Sequence, residues 1–113
     1  MHELSLTEGI LAIVRDEQRK NGFARVLEIS LRIGEFSGVI PSCMEEFFPI
    51  ASKGSCAEGA VLRMEMIPGR FRCRACGAEG AADRKNACCL SCGSRELTMT
   101  AGREFYIENI SVE

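Results

Sequence analysis

The sequence predicts an α+β fold, in which a small three-stranded sheet with two helices carries a separate cysteine-rich unit near its carboxyl end. Three observations lead to this prediction. Apolar residues recur at helical spacing in two segments. Polar and apolar residues alternate in three others. Two Cys-x-x-Cys-Gly motifs lie between the last two alternating segments, so the cysteine-rich unit is expected as an insertion.

The first helix is predicted over about residues 6–20. Ser5 and Glu8 match the S-x-x-E capping box, in which the serine caps the helix and the glutamate bonds back to it. The apolar face consists of Leu6, Ile10, Ile13 and Val14. Basic residues and the Asn21-Gly22 pair then mark the end. This assignment leaves residues 1–4 outside the helix and predicts that they pack little.

The second helix is predicted within residues 40–55. Ser42 and Glu45 suggest another capping box, and Gly54 suggests the stop. Pro49 should bend or shorten the helix, because proline has no N–H to donate. The inward side chains are expected to be Met44, Phe47, Phe48 and Ala51.

The strands are predicted from three alternating segments. In "RVLEISLRIGE" one face is polar, and the other consists of Leu27, Ile29, Leu31 and Ile33. The second strand is "AVLRMEMIP" and the third is "EFYIENISVE". The apolar phase of the third shifts between Ile107 and Ile110, which suggests a bulge.

Composition narrows the class of protein. The chain has 113 residues, a net charge of -2 and 46% hydrophobic residues, as expected for one folded globular protein without bulk attraction for nucleic acid or anionic membrane. We expect neither a membrane span nor a signal peptide, because no apolar run is long enough and the first residues lack a basic region. The predicted location is therefore the cytoplasm.

Seven cysteines in so short a chain indicate metal thiolates, because the count is odd and no export signal is expected. Four of them form "CRACG" and "CLSCG", a spacing typical of tetrahedral zinc sites: Cys73, Cys76, Cys89 and Cys92. A redox dithiol or a disulfide pair is the alternative interpretation. Cys88 could compete as a ligand, but only Cys89 has the two-residue spacing to Cys92.

Four thiolates would close the zinc shell, so the predicted zinc is structural and no catalytic zinc is expected. The predicted zinc-ribbon domain spans 70–101, and the α+β domain spans 1–69 and 102–113. Residues 70–103 contain seven basic and three acidic residues. Because no aromatic residue lies between the two motifs, we interpret these arginines as compensating the anionic metal centre rather than binding nucleic acid.

The only histidine is His2. An α-amine, the next peptide nitrogen and the imidazole of a second-position histidine can chelate one ion through three nitrogens in a plane, which suits Ni(II) or Cu(II). We expect Met1 to be retained before so bulky a residue. A terminal histidine can equally be a solvated residue without a role.

Several segments together resemble the HypA/HybF family of nickel metallochaperones: the "MHE" start, "LRIGEFSGVIP" from Leu31 to Pro41, "AEGAVLRME", and two motifs ending in "CLSCGS". The resemblance runs in the same order over essentially the whole chain. It implies that Met1 and His2 bind nickel with neighbouring backbone nitrogens, with Glu3 as part of or beside this site. It also implies a structural zinc that can relay metal status.

The resemblance further implies a HypB-type GTPase as partner and the large subunit of a [NiFe]-hydrogenase as client, with a homodimer possible. No enzymatic activity is predicted, because the sequence has no second histidine to serve as a base and no nucleophile in a recognisable motif. No nucleic-acid or membrane partner is predicted. Two departures concern the second cysteine motif, where Leu90 replaces the family's common proline and Cys88 is additional. The alternative function is a zinc-ribbon adaptor that binds protein or nucleic acid without nickel.

Overall fold

The computed structural model describes residues 3–83 and 85–113, which form two compact units. The helix–sheet unit comprises the residues up to Arg32 together with Val39–Glu65 and Phe105–Glu113. The cysteine unit comprises Ile33–Gly38 and Met66–Glu104. The functional division at residues 69 and 102 into a nickel-binding and a zinc-ribbon domain stays a prediction.

The described residues form two helices and eight strands, in the order α1 (Glu3–Asn21), β1 (Val26–Gly34), α2 (Pro41–Ala51), β2 (Val61–Ile67), β3 (Arg70–Cys73), β4 (Glu79–Gly80), β5 (Ala82–Asp83), β6 (Cys88–Cys89), β7 (Leu97–Ala101) and β8 (Phe105–Val112). The predicted α+β class is confirmed. The two Cys-x-x-Cys-Gly motifs and strands β3–β7 are inserted between β2 and β8, as expected.

The three predicted strands form one sheet in the order β2-β1-β8, with β1 in the centre. The central strand buries Ile29, Leu31 and Ile33, as its alternation predicts. Leu27 was expected on the same face, but it is 42% exposed and Val26 is buried instead. The prediction for Leu27 is therefore wrong, because the regular alternation of buried residues begins only at Ile29. In β8 the burial phase shifts between Ile107 and Ile110.

Helix α1 begins earlier than predicted, because Glu3 and Leu4 are already helical. The capping box at Ser5 is wrong, and so is the expectation that residue 3 packs little, since Glu3 is 2% exposed. The Thr7 hydroxyl donates a hydrogen bond to the Glu3 carbonyl oxygen (2.7 Å) and contacts the Met44 sulfur of α2 (3.6 Å). Packing against α2 therefore extends the helix by a turn beyond its local capping signal.

Helix α2 also starts before its predicted cap. Its N-cap is Ile40 and Pro41 occupies the first turn, where a missing N–H costs nothing, so the box of Ser42 and Glu45 is wrong. The helix ends at Ala51 and is capped by Ser52, whose N–H donates to the Phe48 carbonyl oxygen, rather than continuing to Gly54. Met44 and Phe48 are buried as predicted, whereas Phe47 and Ala51 are half-buried.

The cysteine unit is built from short strands that local sequence patterns did not predict. One antiparallel sheet has the order β4-β3-β7, and β5 pairs with β6 in a second. Phe71 lies opposite Met99 and Cys73 opposite Leu97, and Phe36 and Phe71 contact edge to face. This framework holds the two Cys-x-x-Cys-Gly motifs. Among the described residues, no helix is long and apolar enough to cross a membrane.

Candidate metal centre

The two Cys-x-x-Cys-Gly motifs fold into turns of the same geometry. In the first, the Gly77 N–H donates to the Cys73 carbonyl oxygen (2.9 Å), and in the second the Gly93 N–H donates to the Cys89 carbonyl oxygen (2.9 Å). Both glycines have a φ of +79°, a conformation that favours glycine because other residues carry a Cβ. The glycine in each motif therefore closes the turn that directs both of its cysteines to the same side.

These turns bring four thiols together. The sulfur atoms of Cys73, Cys76, Cys89 and Cys92 all lie within 4.8 Å of one another. Two pairs, Cys73 with Cys92 and Cys76 with Cys89, have sulfurs 3.6 Å apart. A tetrahedron with metal–sulfur distances of about 2.3 Å has sulfur–sulfur edges of about 3.8 Å. The donor set and its dimensions therefore fit a four-thiolate zinc site.

Backbone amides donate hydrogen bonds to two of these sulfurs. The Cys76 N–H donates to the Cys73 sulfur (3.4 Å) and the Ser91 N–H to the Cys89 sulfur (3.3 Å). The amides of Cys76 and Ala75 lower the pKa of Cys73 to about 6, and those of Cys92 and Ser91 lower the pKa of Cys89. The first cysteine of each motif is also the buried one, which places two stabilised thiolates at the inner side of the cluster.

Cys92 behaves in the opposite way. A hydrogen bond from the Ser94 amide lowers its pKa, but the neighbouring Cys73 thiol and burial outweigh it, and the pKa of Cys92 is raised to about 12. Thiolates this close to one another repel, which opposes the ionisation of all four. A bound cation would remove this conflict by neutralising the thiolates.

The remaining cysteines lie outside this cluster. Cys88 pairs with Asp83 in the β5–β6 ladder, whereas Cys89 pairs with Ala82. Successive residues of a strand point to opposite faces, so Cys88 and Cys89 cannot both face the cluster. Cys43 and Cys56 belong to the helix–sheet unit and are half-buried. All seven cysteines lie within the described ranges, and none of them forms a disulfide.

Of the three predicted nickel residues, the structure describes Glu3. Met1 and His2 lie outside the described residues. Glu3 lies in the first turn of α1, where a carboxylate interacts favourably with the helix dipole. Burial raises the pKa of Glu3. Hydrogen bonds outweigh this effect and lower the pKa, and they include those from the backbone amides of Glu3 and Ile40. Glu3 is thus an ionised, hydrogen-bonded side chain within the fold. No signal within residues 1–8 indicated this burial, because it depends on α2.

Fold and cluster together define a small α+β protein with a four-cysteine metal-binding unit. The model of one protein family, described as "Hydrogenase/urease nickel incorporation, metallochaperone, hypA", matches residues 1–112. The chain belongs to this HypA family.

Curated relatives span nearly the full chain. Hydrogenase maturation factor HypA of Paracoccus denitrificans is 41% identical over 112 residues, covering 99% of both chains. The protein of the same name from Nostoc is 42% identical over 113 residues, covering 100% of this chain and 96% of the relative.

Solved structures share the fold. A solution structure of HypA protein has a TM-score of 0.74 at 21% identity, covering 100% of this chain and 97% of the other. The solution structure of the nickel metallochaperone HypA from Helicobacter pylori has a TM-score of 0.70 at 21% identity, covering 99% and 97%. The fold of this chain is therefore the HypA fold, with two helices, a small sheet and the four-cysteine unit.

Proposed function

We propose that this protein binds Ni(II) at its amino terminus and delivers it during maturation of [NiFe]-hydrogenase, while a structural zinc stabilises the cysteine unit. The observation that carries the proposal is the family match over residues 1–112, because it includes both the Met-His-Glu start and the four cysteines. The family is described by nickel incorporation and metallochaperone activity, which supports a carrier rather than an enzyme.

The zinc would be held by Cys73, Cys76, Cys89 and Cys92. The sulfur distances support this assignment, and the purely thiolate donor set suits zinc better than a hard cation such as Mg²⁺. Four protein ligands leave no position for water or substrate, so this zinc would supply folding stability and no catalysis. Free thiols throughout the chain suit a reducing compartment, and we assign the protein to the cytoplasm.

The nickel cargo would be bound by the Met1 amine, the His2 imidazole and neighbouring backbone nitrogens, with Glu3 beside them. Nitrogen donors in one plane suit Ni(II) and Cu(II), whereas Mg(II) and Ca(II) prefer oxygen. An exposed chelate of this kind can release its ion, which delivery requires. The burial of Glu3 supports the assignment, because it ties the residue after His2 to the folded unit.

The proposed partners are a HypB-type GTPase and the large subunit of a [NiFe]-hydrogenase. Urease is a second possible client, since the family description includes it. A homodimer is compatible with this function. Neither nucleic acid nor a membrane has a role in the proposal.

The test is an isothermal nickel titration of three proteins: the chain with Met1 free, the chain with a short peptide fused before Met1, and His2→Ala. Both changes should abolish high-affinity nickel binding, because each removes one donor of the chelate. Zinc content and helix content should not change. Nickel affinity should also fall below neutral pH, since the imidazole and amine must be deprotonated and their ordinary pKa values are about 6.5 and about 7.7–8.0.

The outcomes separate the alternatives. If the extended protein binds nickel as tightly as the free terminus, the amine is not a ligand and the chelate model fails. If His2→Ala also binds normally, the zinc-ribbon adaptor without nickel becomes the better account. Copper should bind at least as tightly as nickel to the isolated protein, because the donor set follows the Irving–Williams order.

A further inference from the structure

Strand β3 presents a row of arginines on one face of the cysteine unit. Along Arg70–Cys73 the arginines are exposed, while Phe71 is half-buried and Cys73 is buried. The register shift between Arg70 and Phe71 places the extra residue on β7, so the alternation of β3 itself is regular. Arg74 is also exposed, but it lies in the turn after β3. We name Arg70 and Arg72 the arginine row.

The arginine row has no ionic partner within the described residues. The arginines on the sheet of the helix–sheet unit differ in this respect. Arg63 pairs with Glu28 (2.6 Å) and Arg32 with Glu65 (3.2 Å). The cysteine unit contains seven basic and five acidic residues, whereas the helix–sheet unit contains seven basic and eleven acidic. The two units therefore have equal numbers of basic residues, and the cysteine unit has the fewer acidic ones.

The arginine row makes no hydrogen bond to the thiol cluster. Within residues 3–83 and 85–113, the N–H donors to sulfur are backbone amides, such as those of Cys76 and Ser91. The row also follows β3, the central strand of the sheet, and alternates with Phe71 and Cys73, which point to the opposite face. The arginines are thus fixed on a platform directed away from the cluster.

We propose that the arginine row is a docking surface for an extended acidic segment of a protein partner. Residues two apart on a strand are separated by about 6.6–6.8 Å, so an extended segment with carboxylates at every second position matches the row. Arginine binds carboxylates through two parallel hydrogen bonds, which favours this ligand over a diffuse cloud of counterions. The proposal does not depend on nickel binding at the terminus.

The neighbouring strands restrict what can bind. Glu79 lies opposite Arg72 on β4. This carboxylate lies on one side of the row and would repel a broad anionic surface such as a duplex backbone, but it leaves the line of β3 open. Thr98 lies opposite Arg72 on β7. No aromatic side chain of β3, β4 or β7 shares this face, so bases would have nothing on which to stack.

The test uses the full metal-loaded chain and a short fluorescent peptide with glutamate at every second position. Binding is followed by anisotropy at about 0.05 M salt, where the Debye length is long enough for exposed charges to act. Arg70→Glu combined with Arg72→Glu should weaken binding at least about tenfold. The matched control, Arg15→Glu combined with Lys53→Glu, changes the net charge equally at exposed positions of the helix–sheet unit and should have little effect.

Each alternative outcome overturns the proposal. Equal loss in the control would show that net charge, and not the arginine row, determines binding. Tighter binding of a single-stranded oligonucleotide that is lost in the same variant would make the row a nucleic-acid surface. Equal binding of the glutamine version of the peptide would exclude carboxylate recognition. If the charge reversal disturbs zinc content, Arg70→Gln with Arg72→Gln replaces it, and unchanged peptide affinity in that variant would also refute the proposal.

Discussion

The two units of this chain are stabilised by different means. The helix–sheet unit has a continuous apolar core, in which Leu11, Ile29, Leu31 and Met44 are at most 2% exposed. In the cysteine unit the buried hydrophobic residues are Ile33, Cys73 and Cys89, of which two belong to the thiol cluster. A unit of this size with so little apolar burial needs another source of stability, and a bound metal can supply it.

Their charges are arranged differently as well. Carboxylates lie beside the sheet arginines of the helix–sheet unit, and Glu113 pairs with Arg25 at its edge (2.6 Å). The arginines of β3 have no such partner among the described residues. The sheet arginines of the helix–sheet unit are therefore paired within the unit, whereas the arginine row is left for the ligand that we propose. The comparison predicts that the cysteine unit depends on a bound metal and that the helix–sheet unit does not.

The largest expected effect is the loss of the metal. Cys73→Ser, or removal of metal with a chelator, should unfold the cysteine unit while the helix–sheet unit stays folded. Apparent binding free energies of structural zinc in small peptides are on the order of 10–16 kcal/mol at neutral pH, which exceeds the stability of most small units. Metal analysis should give about one zinc per chain before the change and none after it. Limited proteolysis should then cut within residues 70–101.

The control for that experiment is Cys88→Ser. Cys88 lies outside the thiol cluster, so its replacement should leave zinc content and protease resistance unchanged. Loss of metal in Cys88→Ser with retention in Cys89→Ser would reverse our ligand assignment. A protease-resistant cysteine unit without any metal would remove the distinction between the two units.

The second effect belongs to the apolar core. Leu31 is 1% exposed in the central strand, and Leu31→Ala should destabilise the helix–sheet unit by about 2–5 kcal/mol through lost burial and a cavity. Chemical denaturation monitored by helix signal measures this change. Zinc content at low denaturant should be normal. A variant that loses zinc in parallel with helix signal would show that the units unfold together.

The third effect uses one kind of substitution at two glycines. A Cβ on Gly34 would overlap the Gly102 carbonyl oxygen and lie 2.7 Å from the Arg103 nitrogen, so Gly34→Ala should destabilise the protein by about 1–3 kcal/mol or more. A Cβ on Gly9, within α1, would meet nothing within 4 Å. Gly9→Ala should therefore stabilise the helix by about 0.5–1 kcal/mol. Thermal unfolding of both variants tests the prediction, and the same sign for both would contradict it.

Periodic patterns predicted the framework of this fold. The alternation in β1 identified this strand, and the spacing of Cys73, Cys76, Cys89 and Cys92 identified the four thiols that the structure brings together, because both signals are local and repeated. The spacing also distinguished Cys88 from Cys89. The two-residue strands β4, β5 and β6 could not be predicted in this way, since they carry too few residues for any period.

Helix starts were predicted less well, for reasons visible in the structure. Ser5 and Glu8 resemble a cap, but the contact between Thr7 and Met44 extends α1 back to Glu3. That contact joins residues far apart in sequence, so no local pattern reveals it. The start of α2 had a usable signal in Pro41, which favours the first turn of a helix over its interior.

The smallest effect concerns a surface ion pair of the helix–sheet unit. Hydrogen bonds from Lys20 and Arg19 lower the pKa of Asp16 below its ordinary value near 3.8. A carboxyl whose pKa is lowered by folding contributes stability above its unfolded pKa and loses it as pH falls through its folded pKa. Asp16→Asn should remove this small contribution at neutral pH and change nothing at pH values below both pKa values. Denaturation of the two proteins over this acid range measures the difference, which salt should also diminish because the pair is exposed. A difference that persisted under acid would show that Asp16 acts through packing. Exposed ion pairs could then not be ranked below the apolar core as a source of stability in this unit.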